Sequence, residues 1–293
     1  MEKTIIIDRS LTEESWRNYV ARLRDSNDLG VLALNPDEIF KILSKQIDLS
    51  FKEILPKRFA LLFSGGIDST LIAYLAKQCN REFVCITSGF LGSHDFEYSK
   101  RVSKFYGFNH ELIELNTKKI EKVIPLTKKI INSSNYVKIS VGSVFVSALH
   151  YSKVVNDYKY IISGLGSEEI FAGYQRHQNA SSINEECWNG LFNLFERDLS
   201  RDISILANYH KDAILPFLSG DLISLSMRIP GELKIKDSVK KYCLRKASIL
   251  LGLKEEFSKE PKRAAQYGSN VDKEIERLAK AKNLSKSEYV KSL

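Results

Sequence analysis

The first half of the chain alternates short apolar runs with longer stretches of helical spacing. Residues 59–63 are five consecutive apolar residues, a run too short for a helix and typical of a buried strand. Later runs predict three more strands, at 83–87, 111–115 and 160–163. Helical spacing fills the intervals, at 69–77, 95–106, 117–131 with an interruption near Pro125, and 143–156. This order predicts an α/β fold with a doubly wound parallel sheet, covered by helices on both faces.

The two ends of the chain differ from this pattern. The N-terminal part predicts a short strand at 4–7, a helix at Glu13–Asp25, a turn at 26–30 and a helix from Pro36 to about Ile54. Beyond about residue 180 no stretch predicts a strand, and helices are expected at 183–199, 216–227, 239–251 and, lysine-rich and exposed, 271–281. We therefore expect an N-terminal helical cap (1–57), an α/β core (58–180) and a helical part (181–293).

Composition limits the class of protein. The 293 residues are 43% hydrophobic and 27% charged, as in an ordinary globular protein. Since no apolar run approaches the length of a membrane span and the N-terminus has no signal-peptide layout, a soluble cytoplasmic protein is expected. The net charge of +8 suits nucleic acid or a polyphosphate, but the lysines are scattered and favour a solvated basic surface. Four cysteines without a C-x-x-C pair and five histidines without ligand spacing imply neither disulfide nor zinc.

The glycine turn after the first strand carries the clearest chemical signal. Its sequence, SGGIDS, runs from Ser64 to Ser69 and leads into a helix. Unpaired N–H groups of such a turn and the helix dipole favour an anion, and Gly65 and Gly66 allow close approach of a phosphate. The two serines add hydroxyl donors, and Asp68 could hold Mg²⁺. No lysine follows as a Walker A loop requires, and the Rossmann glycine pattern does not fit.

A second glycine turn follows the strand at 160–163. It reads SGLGSEE from Ser163 to Glu169, with Gly164 for close approach and two carboxylates at a helix start. Acidic residues there can simply favour the helix dipole. The loops at 64–69, 88–95 and 163–169 all follow strands of one parallel sheet, so they should share one rim. On that rim, Glu168 could complete a metal site begun by Asp68.

These motifs carry a family resemblance. SGGIDS resembles the SGGxDS pyrophosphate loop of N-type ATP pyrophosphatases, and SGLGSEEIFAGY resembles the SGxGxDE…GGY motif of the synthetase domain of asparagine synthetases. Three more stretches are similar to that family and occur in family order: the loop 89–95, Arg201-Asp202 followed by 212–218, and the late lysine-bearing loop 261–269. The resemblance spans residues 58 to 269 and marks 58–180 as a nucleotide-binding core that the helical part completes.

Three features depart from the family pattern. Residues 1–57 are too short for a glutaminase domain, and position 2 is Glu2 where the glutamine-dependent enzymes carry a processed cysteine. We therefore expect a stand-alone synthetase-domain protein. Leu165 replaces a motif glutamate, and Ile214 and Ser219 replace a family arginine and aspartate. Substrate identity and turnover are consequently less constrained by the sequence than nucleotide binding.

The resemblance implies ATP-dependent amide formation. A carboxylate, aspartate's in the family, attacks the α-phosphorus of ATP, pyrophosphate leaves, and ammonia attacks the acyl-adenylate. The implied nucleotide-binding residues lie in the loops: Ser64, Gly65, Gly66, Asp68, Ser69, Ser88, Ser163 and Gly164.

The resemblance also implies the remaining roles. Asp68 and Glu168 would hold Mg²⁺, and Glu169 would orient substrate. Lys262, with Arg263 beside it, would neutralise the adenylation transition state. His177 is a candidate general base, although a lone histidine beside an aromatic residue is more often structural.

Two other functions stay open. A tRNA-modifying pyrophosphatase could use the same loop, and it would bind RNA with a steep salt dependence. A nucleotide-binding regulatory protein without turnover would explain Leu165 and Ile214. For the ligase, nitrogen could come from free ammonia or from a separate glutaminase subunit. Residues 1–35 could dock that subunit, although we expect them to cap the sheet; membrane and nucleic-acid partners are not expected.

Overall fold

The computed structural model describes residues 6–27, 30–260 and 263–293. The strands of this part are β1 (Ile6–Ile7), β2 (Arg58–Leu62), β3 (Glu82–Phe90), β4 (His110–Leu115), β5 (Tyr160–Ile162) and β6 (Asp212–Ile214). They form one sheet in the order β1-β6-β5-β2-β3-β4. Five neighbouring strands pair in parallel, and β1 closes one edge antiparallel to β6. The predicted parallel sheet is confirmed.

Helices occupy most of the remaining described chain. They are α1 (Glu13–Asp25), α2 (Pro36–Ile54), α3 (Ile67–Gln78), α4 (His94–Tyr106), α5 (Thr117–Ile131), α6 (Tyr136–Tyr151), α7 (Ser167–Ile170), α8 (Gln175–Gln178), α9 (Ile183–Phe192), α10 (Ser200–Asn208), α11 (Gly220–Arg228), α12 (Gly231–Lys234), α13 (Tyr242–Leu250), α14 (Glu255–Ser258), α15 (Ala265–Gly268), α16 (Val271–Ala281) and α17 (Lys286–Ser292). Two 3₁₀ turns (Val155–Asp157, Pro216–Leu218) and a π segment (Phe195–Leu199) interrupt them. Within the described ranges, none of these helices has the length and apolarity to cross a membrane.

The order in which the chain adds strands to the sheet reverses at β2. From β2 the chain proceeds outward to β3 and β4, and then returns to β5 on the other side of β2. Ala60 of β2 pairs with Val84 on one side and Ile161 on the other. Right-handed crossovers place α3 and α4 on one face, and the returning α5 and α6 on the opposite face. The loops after β2 and β5 are therefore neighbours at the switch point, where such sheets bind ligands.

The N-terminal helices begin where their capping residues predict. Thr12 caps α1 and Asn35 caps α2, each in a reciprocal capping box, and Pro36 occupies the first position of α2. α1 packs against α9 and α11, and α2 packs against α3, α11 and α13. Trp16 of α1 is fully buried, and its Nε1 donates to Leu191 O at 2.8 Å. These helices belong to the same hydrophobic core as the sheet.

Two strand predictions need correction. β6 lies beyond residue 180, where no strand was expected. Its three residues stand between Lys211 and Leu215-Pro216, so they show no periodic pattern, and pairing with β5 and β1 makes them a strand. Only Ile6–Ile7 of the strand expected at 4–7 falls within the described residues, as does only part of the turn expected at 26–30.

Several helix predictions also change. α5 continues through Pro125, because its buried face, with Ile120 and Val123, packs against α6 and α10 and offsets the lost backbone hydrogen bond. α6 begins at Tyr136, earlier than predicted, and ends at Tyr151. The stretches at 183–199 and 216–227 break into shorter segments, whereas the helix predicted at 239–251 is confirmed as the single helix α13 (Tyr242–Leu250). α16 is amphipathic and half buried, not simply exposed.

Candidate active site

The loop after β2 combines a left-handed glycine with a helix N-terminus that has no side-chain cap. Gly65 has φ +77°, and an added Cβ would lie 2.9 Å from Tyr98 Cδ1 and 3.0 Å from Ser99 N. Gly66 is the N-cap of α3, and no side chain caps that helix. Ser64 Oγ accepts from Gly66 N–H at 3.3 Å, and Ser69 Oγ donates to Gly66 O at 3.2 Å. The loop therefore combines a helix N-terminus with two nearby hydroxyls, as phosphate binding requires.

The loop after β5 touches the first loop. A Cβ at Gly164 would lie 2.6 Å from Asp68 Cβ, so only glycine permits this approach. Gly166, with φ +98°, turns the chain into α7, which carries Glu168 and Glu169. Ser163 Oγ accepts from Leu165 N–H at 3.4 Å, and Leu165 packs against the hydrophobic core. The prediction that the two glycine turns share one rim is confirmed.

A lysine from the C-terminal half joins Asp68 to Glu168. Lys241 Nζ lies 2.8 and 2.7 Å from the two carboxylate oxygens of Asp68, 2.8 Å from Glu168 Oε1 and 2.9 Å from Ser167 Oγ. Lys241 is 1% exposed, and both carboxylates are 5% exposed. The two acids predicted as metal ligands thus converge on one buried ammonium.

The sequence analysis missed Lys241. It precedes α13 in the left-handed conformation, φ +55°, just after a small bridge between Lys236 and Val239. The adjacent Gly173 leaves room for the cluster, because a Cβ there would lie 1.5 Å from Glu168 Oε2 and 2.6 Å from Lys241 Cε. Nothing in the local sequence distinguishes Lys241 from the other lysines. Its role depends on a contact with Asp68, which lies 173 residues earlier in the chain.

Glu169 faces a different set of charges. It is fully buried and forms an ion pair with Arg197, which also bonds to Asp198 at 2.7 Å through Nε. Arg201 extends this chain, with Nη1 3.1 Å from Asp198 Oδ1 and Nε 2.7 Å from Asp202 Oδ1. Burial raises the pKa of the Glu169 carboxyl, and the Arg197 guanidinium opposes that rise. Glu169 therefore anchors α7 to the segment before α10, away from Lys241.

The remaining predicted residues have different surroundings. Ser88 lies within β3 instead of a loop, and its Oγ donates to Val144 O of α6 at 2.9 Å. Arg263 is exposed, and Lys262 lies outside the described residues. His177 is buried, stacks on Tyr174 and accepts the Tyr174 N–H at 3.1 Å through Nδ1. Burial lowers the pKa of His177 to about 4, which suits a structural role.

The end of the late lysine-bearing loop contacts the end of β3 through its backbone. Phe90 N–H donates to Ser269 O at 3.1 Å, so the end of β3 holds the segment after α15. His94, at the start of α4, lies between Asp95 Oδ1 (3.0 Å from Nδ1) and Glu260 Oε1 (2.7 Å from Nε2). Ser269 is thereby held by the end of β3, and Glu260 by the start of α4.

The donor chemistry of the Asp68–Glu168 pair fits Mg²⁺. Both are hard carboxylates converging on one cation, the Lys241 ammonium, and Mg²⁺ is commonly held by one or two carboxylates plus substrate phosphates. Across residues 6–27, 30–260 and 263–293, no group of three or more His, Cys, Asp or Glu could hold a metal ion. Phosphate or water oxygens would therefore have to complete the coordination.

Comparisons with known proteins agree with the motifs. The nodule asparagine synthetase (glutamine-hydrolysing) of Pisum sativum is 28% identical over 229 residues, covering 68% of this chain and 39% of its own length. The Gallus gallus asparagine synthetase (glutamine-hydrolysing) is 29% identical over 205 residues, covering 65% of this chain and 36% of its own. This chain thus spans less than half the length of either curated relative.

A solved structure and a family model complete the comparison. The structure of NMN synthetase from Francisella tularensis matches with TM-score 0.44 and 13% identity, covering 88% of this chain and 85% of that one. The asparagine synthase family model matches residues 57–202 and 177–292, and so covers most of the chain. The protein therefore belongs to the asparagine synthase family, as its glycine-loop motifs predicted.

Proposed function

We propose that this protein is an ATP-dependent amide ligase that adenylates a carboxylate, aspartate by family resemblance, and then amidates it with ammonia. The observation that carries the proposal is the meeting of Asp68 and Glu168, from two glycine loops, at the switch point of the sheet. Such a position receives the ligand in parallel α/β folds, and the first loop offers a phosphate-binding helix N-terminus. The family membership supports the same chemistry.

The reaction requires activation of the acceptor. A carboxylate oxygen attacks the α-phosphorus of ATP, and the bond from that phosphorus to the pyrophosphate oxygen breaks. Ammonia then attacks the acyl carbon, loses a proton and expels AMP. Oxide could not leave directly from a carboxylate, whereas AMP is a good leaving group.

The loop residues would act where charge accumulates. N–H groups of Gly65 and Gly66 and the hydroxyls of Ser64 and Ser69 would hold the departing pyrophosphate; one such preorganised donor is worth about 3 kcal/mol. When bound, Mg²⁺ would neutralise the phosphate oxygens, and Asp68 and Glu168 would hold it. Ser163 and Gly164 would line the opposite side of the nucleotide.

The other predicted residues take more limited roles. Lys262, with exposed Arg263 beside it, is proposed to bring positive charge to the adenylation transition state. Glu169, buried against Arg197, is proposed to position the second loop and through it the substrate. Ser88, which is bound to α6, would contribute to the nucleotide site mainly by fixing the end of β3.

ATP–pyrophosphate exchange with aspartate and Mg²⁺ tests this proposal. Asp68→Ala should lower exchange about a hundredfold or more, because the cation that offsets the leaving-group charge loses a ligand. The matched control is Asp221→Ala, an exposed aspartate in the first turn of α11, which should exchange normally. Normal exchange by Asp68→Ala would remove Asp68 from the metal role.

The same assay separates the competing functions. Leu165, which packs on the core where the family has a glutamate, favours a nucleotide-binding protein without turnover as the second candidate. Under that alternative, ATP binds but no amino acid supports exchange. RNA binding with a steep salt dependence would instead indicate the tRNA-modifying class. Supplying ammonia directly, with and without glutamine, identifies the nitrogen source and any need for a glutaminase subunit.

A further inference from the structure

The Lys241 ammonium has the surroundings of a bound cation. Four oxygens from two loops surround Nζ within 2.7–2.9 Å, three of them from carboxylates. All three residues that supply them, Asp68, Ser167 and Glu168, are buried. An all-oxygen, carboxylate-rich shell of this kind is the ligand type that Mg²⁺ and Mn²⁺ use.

One site cannot hold both cations at these oxygens. Lys241 is the cation in direct contact with both carboxylates, and the Arg245 guanidinium also interacts electrostatically with both of them. A divalent metal bound to the same oxygens, at about 2.0–2.1 Å, would lie where Nζ now lies and would repel it. Without either cation, the two buried carboxylates would lose the positive charge that contacts both of them, which is strongly unfavourable.

We propose that Lys241 is a resident counter-ion of the divalent-cation site: its ammonium fills the cation position in the unloaded protein and is displaced when metal–ATP binds. The proposal rests on the proposed function only for the identity of the arriving ligand. It assigns Lys241 as a positioning residue that keeps Asp68 and Glu168 together while the site is empty of nucleotide.

The structure explains why the lysine can leave while the backbone stays. Lys241 is fixed at the start of α13, and Arg245, one turn later, donates through Nε to Lys240 O at 2.9 Å and through Nη1 to Glu260 O at 3.2 Å. The lysine stem has four rotatable methylenes ending in a point charge, unlike the rigid fork of arginine. Displacement would therefore move one side chain and leave the start of α13 in place.

A consequence concerns bare metal ions. Mn²⁺ without nucleotide must displace an ammonium that already has four oxygen contacts, so its affinity should be low. Metal arriving with a polyphosphate brings additional ligands and negative charge that the freed ammonium can neutralise. Lys241 thus biases the site against metal alone and toward the metal–nucleotide complex.

Mn²⁺ binding to the nucleotide-free protein tests the proposal. Isothermal titration should show Lys241→Met binding Mn²⁺ more tightly than wild type by a factor on the order of ten or more, because the competing cation is gone. Its melting temperature without metal should fall, and Mn²⁺ should raise it more than in wild type. Equal Mn²⁺ affinity in the two proteins would overturn the proposal.

Two further variants serve as controls for this measurement. Lys236→Met removes an exposed lysine five residues earlier and should bind Mn²⁺ like wild type. Lys241→Met combined with Glu168→Gln should fold without metal and gain no affinity, because one carboxylate is gone. A gain in either variant would overturn the proposal. If Lys241→Met alone does not fold, the proposal requires that Mn²⁺ restore its folding. The proposal is overturned if Mn²⁺ does not restore folding although the double variant folds.

These measurements use neither ATP nor an acceptor. If no amino acid supported exchange, the ligase proposal would fail, but the Mn²⁺ result would still stand. Conversely, normal exchange with equal Mn²⁺ affinity would remove the counter-ion role alone.

Discussion

At the residue scale, adjacent side chains have separate surroundings. Glu168 contacts Lys241 at the rim shared by the two glycine loops, whereas Glu169 is buried against Arg197. Both are consecutive acids at the start of α7, and nothing in the local sequence predicted that their contacts would differ. The two side chains are of the same type, and only their contacts distinguish a candidate metal ligand, Glu168, from an anchoring residue, Glu169.

A buried histidine, His177, and a half-buried one, His110, should make stability depend on pH. His110 accepts or donates hydrogen bonds with Thr87 and Ser103, and burial lowers the pKa of both His110 and His177 to about 4. Between pH 6.5 and 4 the unfolded chain binds protons that the native protein does not, so stability is lost as pH falls through this window. Each histidine contributes at most about 1.4 kcal/mol per pH unit.

Urea unfolding at a series of pH values checks this. His177→Gln, which retains an acceptor for Tyr174 N–H, should show a weaker fall in unfolding free energy on acidification than wild type. The exposed His150→Gln is the matched control and should keep the wild-type slope. If the unfolding free energy of His177→Gln fell with pH as steeply as that of wild type, His177 would not be the neutral histidine that causes the fall.

At the scale of elements, the site is a contact between two strand–turn–helix units. β2 with α3 and β5 with α7 lie side by side, and the approach of Gly164 to Asp68 sets their spacing. Local patterns predicted each unit, because an apolar run, glycines and helical spacing lie within a few residues of one another. β6 escaped prediction, because its three residues become a strand only through pairing with β5 and β1.

Gly164→Ala should separate the two units. A Cβ placed 2.6 Å from Asp68 Cβ forces the loops apart, so exchange activity should fall by about a hundredfold, as misplacements near 1 Å do. The stability cost should be about 1–3 kcal/mol. Gly30→Ala is the control: it has positive φ, +67°, but its Cβ meets nothing within 4 Å and it lies outside the three rim loops, so it should lose stability while keeping activity. Equal activity in the two variants would contradict this spacing role.

At the scale of the molecule, the N-terminal helices and the sheet share one hydrophobic core. Trp16 of α1 and Leu191 of α9 are joined by a hydrogen bond, and α2 packs on α13, which follows Lys241. The predicted division at residues 57 and 180 stays a prediction. The packing indicates that the helical cap, the core and the helical part unfold together.

A cooperative unfolding transition is therefore expected. Tryptophan fluorescence, from Trp16 and Trp188, and far-UV circular dichroism should give coincident urea transitions. Trp16→Ala should lower the unfolding free energy by about 3–5 kcal/mol, since a fully buried ring is lost. Arg17→Ala, which breaks an exposed pair with Glu13, should change it by less than about 1 kcal/mol. An earlier fluorescence transition would show that the cap unfolds separately.

The sequence by itself determined the parts that depend on neighbouring residues: the buried strands, the glycine turns, the capped helices and the family. It also predicted that Asp68 and Glu168 would meet, because parallel strands place their following loops on one rim. Only the tertiary structure decided that Lys241 lies between them, that Glu169 pairs with Arg197, and that β6 joins the sheet. Those outcomes depend on contacts between residues far apart in the chain, which local pattern does not encode.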